Sequence, residues 1–159
     1  CQYGIKLLAC IGSKCDESTV KFIMAKGKDL EGDADGNMLD FAVDEGLLKK
    51  EGSNYVVAHD QIHQAAYSLI PENERCCLHR QIGLLILKSL PEKQVDDLFF
   101  TAVSQLNLGI KHLEKEDEKL DLQKLNLRAG EKAMSLAAFS IAASYLKAGI
   151  DMFLDTHWE

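Results

Sequence analysis

The sequence predicts a mainly α-helical protein. Apolar residues make up 47% of its 159 residues, only two prolines interrupt it, and the breaks between apolar runs fall at glycine. A proline-poor sequence whose apolar residues recur at spacings of three and four favours helices over a sheet protein. The apolar content suffices for one good core or two small units sharing an interface, so the chain is expected to fold.

The first helix covers residues 2–12, with Ile5, Leu8 and Ala9 on one face and Gly12 as its stop. Ser13–Asp16 is expected as loop. Ser18 or Thr19 then caps a second helix, STVKFIMAKG, which packs through Val20, Phe22, Ile23 and Met24 and ends at Gly27. The polar stretch Lys28–Gly36 reads as loop. Asn37 caps a third helix, NMLDFAVDEGLL, with Met38, Phe41, Ala42 and Leu48 on its buried side. Lys49–Asn54 is turn chemistry, so Leu47–Lys49 and Tyr55–Val57 are expected to pair as a small hairpin. Three helices and a terminal hairpin are the layout of a winged-helix domain, placed at residues 1–70.

His59-Asp60 opens the next helix, DQIHQAAYSLI, with Asp60 as N-cap, Ile62, Ala65, Ala66 and Leu69 inward, and Pro71 closing it. A long helix over Glu72–Ser89 carries Leu78, Ile82, Leu85 and Ile86. Pro91 stands near the first turn of a helix over about Val95–Leu113, whose stripe is Leu98, Phe99, Ala102, Val103 and Leu106. The charged run Glu114–Lys119 reads as loop or helix end. Two last helices, Leu120–Ser135 and Phe139–Leu154, carry the small residues Ala129, Gly130, Ala133, Ala142, Ala143 and Ala148, which let antiparallel helices approach closely. Residues 71–159 are therefore expected as an array of antiparallel α-hairpins.

The chain opens on Cys1 within an apolar helical pattern and stops abruptly after Asp155–Glu159, so it is expected to be a piece of a larger protein. Net charge is −7, and acidic residues outnumber basic ones on both sides of Pro71. A phosphate-neutralising surface needs local cationic excess, and the third helix carries Asp40, Asp44 and Glu45 instead, so nucleic acid is not an expected partner. The five cysteines, Cys1, Cys10, Cys15 and the pair Cys76-Cys77, lack a small-secreted-domain framework, which suggests free thiols in a reducing compartment. The longest apolar run, Ile82–Leu87, is too short to cross a bilayer. A soluble, cytoplasmic protein without membrane contact is the expectation.

Chemistry-bearing motifs are scarce. His59 and His63 share a helix face and could hold a metal with Cys10 or Cys15, but the gaps fit no usual ligand spacing and Cys10 lies in an apolar helix face, so no metal is expected. Asp33-Ala34-Asp35-Gly36-Asn37 resembles part of a calcium loop, yet the glycine comes too early and no glutamate follows in register. No glycine-rich phosphate cradle and no nucleophile elbow occur, and His79 does not face Cys76 or Cys77 across their helix. His79 and His112 are expected as surface or partly buried helix residues. No catalytic residue is assigned. His59-Asp60 remains, at the junction of hairpin and helix, either as a simple cap or as a contact with something outside the chain.

The stretch YVVAHDQIHQAAYSLIPENERCCLHRQIGLLIL is similar to the segment that follows the nucleotide-binding core in signal-transduction ATPases with numerous domains. It most resembles the very long proteins that join a serine/threonine kinase, an ATPase, a sensor domain and a histidine kinase. LLACIGSKCDESTVKFIMAKG looks like the start of that family's winged-helix segment, and LNLRAGEKAMSLAAFSIAASYLKAGIDMFLDTHWE like its first tetratricopeptide-type helices, so the likeness covers nearly the whole chain. The resemblance implies a tetratricopeptide-like array over residues 71–159, the start of a longer repeat region. In related ATPases a winged-helix histidine followed by aspartate touches the diphosphate of bound ADP; His59-Asp60 matches that dipeptide, though Ala58 replaces the methionine or aromatic residue often found before it. The resemblance thus implies no cofactor in this segment itself, ATP or ADP in the parent protein, and His59 as an ADP-state sensor acting with an upstream core. It also implies a non-catalytic regulatory and interaction segment whose partners are proteins or other domains of its own chain. The alternative is a stand-alone helical-repeat scaffold that binds a protein.

Overall fold

The computed structural model describes residues 2–26, 37–89, 96–112 and 115–157. They fall into two compact units, Cys1–Arg75 and Cys76–Glu159. In chain order the elements are α1 Gln2–Ile11, β1 Lys14–Asp16, α2 Glu17–Lys26, α3 Asn37–Asp44, β2 Leu48–Glu51, β3 Asn54–Val57, α4 Asp60–Ser68, α5 Glu72–Ser89, α6 Asp96–Leu108, α7 Glu116–Ser135 and α8 Phe139–His157. The chain is mainly helical, with one small antiparallel sheet among the described residues, in the order β1-β3-β2. The expected stop at Gly27, the loop over Lys28–Gly36, the side chains of Asn37 and Met38, and Pro91 lie outside the described residues.

In the first unit, α1 ends where Gly12 takes φ 140°, its N–H bonded to the Leu8 carbonyl at 2.9 Å. Leu7, Leu8, Ala9 and Cys10 are buried. The segment after it, expected as loop, contains a strand. β1 sets Cys15 opposite Tyr55 on β3, and Val57 N–H to Ser13 O and Glu17 N–H to Ser53 O, both 2.8 Å, extend the pairing at each end. Asp16, rather than Ser18 or Thr19, caps α2. Its carboxylate accepts the backbone N–H groups of Ser18 at 2.9 Å and Thr19 at 3.2 Å, together with the Ser18 hydroxyl. Those bonds, the Ser18 hydroxyl foremost, hold the Asp16 carboxyl below its ordinary range.

Helix α3 ends at Gly46, φ 71°, where Leu47 N–H reaches the Ala42 carbonyl at 2.9 Å and Gly46 N–H reaches Val43 at 3.0 Å. This paired closure satisfies two carbonyls that a helix end otherwise leaves open. Leu39 and Ala42 are buried, while Phe41, expected inside, is 54% exposed because it lies roughly 100° round the helix from Ala42. The hairpin is longer than expected, running from Leu48 opposite Val57 to Glu51 opposite Asn54. Gly52, φ 60°, comes first in its two-residue connection, which suits a type II′ turn. On α4 the buried positions are Ala66 and, just past its end, Ile70; Ala65 and Leu69, expected inward, form a neighbouring stripe that stays exposed.

In the second unit, α5 and α6 meet closely at glycine. A Cβ on Gly83 would lie 2.9 Å from the Ala102 carbonyl oxygen, and one on Gly109 would lie 2.8 Å from the Arg80 nitrogen. His79, expected at or near the surface, is 2% exposed, with Nδ1 2.7 Å from Gln105 Oε1. α6 stops at Leu108 and gives way to a 3-10 turn at Ile110–His112, short of the expected Leu113. α7 begins at Glu116, inside the run expected as loop or helix end, and its first turn holds Glu116, Asp117 and Glu118, acids that suit the positive end of a helix dipole. α7 and α8 are joined through Ala137, φ 57°, with Ala138 N–H on the Ala133 carbonyl at 2.9 Å and Ala137 N–H on Met134 at 3.0 Å. α8 continues to His157, past the expected Leu154.

Phe99, Val103, Ala129 and Tyr145 form one core cluster of this unit, and Leu106, Leu122 and Met152 another. Gly130 admits the Leu146 side chain so closely that an added Cβ would lie 2.6 Å from it. Ala129, Ala133 and Ala142 are buried as the small-residue pattern requires, whereas Ala143 faces out. A polar seam runs through the apolar packing. Asn107 and Asn126 exchange reciprocal amide bonds of 2.9 and 2.7 Å, Asn126 also donates to the Leu122 carbonyl at 3.0 Å, and the Tyr145 hydroxyl bonds the Phe100 carbonyl at 3.0 Å and pairs with the Ser104 hydroxyl at 2.8 Å.

Candidate functional site

Extended backbone at His59, φ −149°, places that residue rather than Asp60 at the N-cap of α4. The His59 carbonyl accepts from Ile62 N–H at 2.9 Å and His63 N–H at 3.2 Å, so the main chain performs the capping. The imidazole makes no capping hydrogen bond and is exposed. Asp60 stands exposed in the first turn, where a carboxylate suits the helix dipole. One turn on, His63 is half-buried, and its Nε2 has no hydrogen-bond partner.

No group of three or more His, Cys, Asp or Glu among the described residues could hold a metal ion. Cys10 and Cys15 are buried, and neither is in a disulfide. Burial pushes the Cys10 thiol up to about 12, with the Arg75 charge pulling weakly the other way. Burial, followed by the neighbouring Asp16 carboxylate, raises Cys15 to about 11. Both stay protonated near neutral pH, so neither is poised as a nucleophile or thiolate ligand. Cys76 is half-buried and Cys77 exposed, both without a disulfide. Asp33–Gly36 of the calcium-like stretch lie outside the described residues, as do the side chains of Asn37 and His112.

A surface feature that the sequence reading missed lies on the α7–α8 hairpin. On α7, Leu120, Leu127 and Met134 recur every two turns, and all are about half exposed. On α8, Phe139, Ile150 and Phe153 are exposed on a matching face. Between the helices a groove of about 320 Å³ is lined by Gln123, Leu127, Leu146, Gly149, Ile150 and Phe153. Full burial of a side chain of this kind stabilises by ~1.5–3 kcal/mol, and several on this face are left about half exposed. The signal was present as a two-turn repeat of apolar residues beside the alanine stripe, but periodicity does not say which of two apolar stripes a fold will cover.

Comparison with known proteins gives one likeness of note. The chain is 29% identical over 113 residues to hybrid signal transduction histidine kinase G of Dictyostelium discoideum, a match taking in 62% of this chain and 3% of that protein. The likeness associates the chain with signal-transduction proteins, and the chain spans only a small fraction of the relative's length. No protein-family model and no solved structure matches it. No helix among the described residues is long and apolar enough to cross a membrane.

Proposed function

We propose that this chain is a non-catalytic regulatory and protein-interaction segment of a larger signalling protein, with a winged-helix-like first unit and a tetratricopeptide-like second unit. The observation that carries the reading is the exposed apolar face of α7 and α8. Its occupant on this reading is a further α-hairpin of the same polypeptide, stacked on α7–α8 as α6 is stacked on α7. The likeness to a segment of a much longer kinase supports a multidomain parent. The test joins the chain to the helical segment that follows it in its parent. Protection of Leu127 and Ile150 from solvent on joining is the expected result, and unchanged exposure would overturn it.

On the same proposal, His59 reads nucleotide state. An exposed imidazole with no capping duty is free to donate to a phosphate presented by an upstream ATPase core. Asp60 would oppose a bare anion at the helix end, so the contact falls to the imidazole rather than to the α4 terminus. In the full protein, His59→Ala should speed ADP release, and an unchanged release rate would remove the sensor role. The rival reading, a stand-alone scaffold, predicts that the chain by itself captures a partner without any ATPase present.

A further inference from the structure

The second unit holds a second groove, on another side from the α7–α8 face. It is bounded by α5, α6 and α7 and encloses about 610 Å³. Its floor is apolar: Leu106 and Leu122 are buried, while Leu84, Leu87 and Leu125 are only half-buried. No aromatic ring lines it among the described residues.

The rim is charged and unevenly balanced. Arg80 pairs with Glu118 at 2.8 Å and Lys124 with Asp121 at 3.3 Å, which engages both acids of the rim. Lys88 and Arg128 have no carboxylate partner among the described residues, and the buried Nε of Arg80 has no hydrogen-bond partner. Arg128 is held in place instead by Phe99, its guanidinium carbon 4.9 Å from the ring centroid. Stacking on a ring face leaves the edge N–H groups of a guanidinium free to grip a carboxylate. The protein as a whole carries −7, but charges more than ~8 Å away are largely screened at physiological salt, so a ligand in the groove meets the local cationic excess.

We infer that this groove binds an acidic amphipathic segment of a partner protein, seating its apolar side chains on the leucine floor and its carboxylates on Lys88 and Arg128. The inference rests on the reading of the chain as a protein-interaction segment, but on a separate surface. The chemistry favours a peptide over single-stranded nucleic acid, which needs aromatic platforms for its bases and a longer cationic track for its phosphates. An apolar floor between two cations suits leucine-type side chains flanked by aspartate or glutamate.

The test is fluorescence anisotropy on the full chain with a labelled peptide that has leucine at every third or fourth position and aspartate and alanine between. A counterpart with lysine for aspartate and a single-stranded oligonucleotide serve as the other probes. The aspartate peptide should bind about tenfold more tightly than the lysine peptide and weaken as salt rises. Lys88→Glu with Arg128→Glu, both at exposed positions, should weaken it about tenfold and favour the lysine peptide. Leu127→Lys with Ile150→Lys should leave it unchanged, which separates this groove from the α7–α8 face. Equal binding of the two peptides, no binding of the aspartate peptide, no loss in the Lys88/Arg128 variant, or tighter binding of the oligonucleotide would each overturn the inference.

Discussion

The two units differ in how far each consumes its own apolar surface. In the first, Leu7, Leu8, Val20, Ile23, Leu39, Leu48 and Tyr55 are all but completely buried, and Phe41 and Leu69 are the large apolar side chains left exposed among its described residues. In the second, Phe99 and Val103 are buried as thoroughly, yet the hairpin that covers them turns Leu127, Phe139, Ile150 and Phe153 outward. Both have good cores, so the exposed residues of the second are not a sign of loose packing. On the proposed reading they mark surface whose burial is left to something beyond the unit.

The largest effect is expected at the core of the second unit. Phe99→Ala should cost ~3–5 kcal/mol, read as a shift in the denaturant midpoint, because it removes a ring packed on Val103, Ala129 and Tyr145. A loss much below that would mean that the second unit is loosely packed after all. Asn126→Leu should cost ~1–3 kcal/mol, since it strands the Asn107 amide in a part-buried site. Replacing both asparagines with leucine should recover part of the loss, and a strictly additive result would show that the two amides are independent. Ala137→Gly should stabilise by ~1 kcal/mol, because alanine at φ 57° bears a steric penalty that glycine does not.

The first unit offers a gentler test through charge. Glu17 lies 2.6 Å from Lys21 and 3.0 Å from Lys50, and these two ammonium groups, Lys21 foremost, lower its carboxyl to about 2 from an ordinary 4.5. A depressed carboxyl contributes stability that is present above the unfolded value and is lost as pH falls through the folded one. The stability gap between the wild type and Glu17→Gln should therefore be full at neutral pH and close between about 4.5 and about 2. Equal gaps at pH 7 and pH 2 would detach the effect from these ion pairs. Smallest of all, Leu127→Lys with Ile150→Lys should move stability by within about 0.5 kcal/mol per site, since both side chains are already half exposed. A large loss would show that this face is part of the core rather than a contact surface.

Much of the helical layout was legible because its punctuation is local. Gly12 ends its helix with positive φ, a role that requires no knowledge of distant residues, whereas Gly46, read as interior to a helix reaching Leu48, ends α3 and leaves Leu48 to β2. β1 was not legible: Lys14-Cys15-Asp16 has two charged residues out of three and no β-favouring run, and it is a strand because Tyr55 and its neighbours pair with it. The acidic start of α7 reads as loop by polarity, although those same acids favour a helix N-terminus. His79 and Gln105 are polar residues that only tertiary packing brings together inside. At the candidate site, His59 could be picked out as a residue at a joint, but not its N-cap position, because Asp is the commoner cap and stood next in line.

The Asn107–Asn126 exchange also acts as an index mark between α6 and α7. Leucine against leucine tolerates a slide along the helix axis, whereas sliding α7 by one turn would carry Asn126 ~5.4 Å from its mate and leave two amides facing hydrocarbon. A single polar pair in an apolar interface can thus select one register among several of similar apolar content, as a buried asparagine does in coiled coils. An insertion of one residue within α7 turns the helix beyond it by about 100°, so one placed beside Asn126 would part the pair or turn the apolar positions past it away from α6.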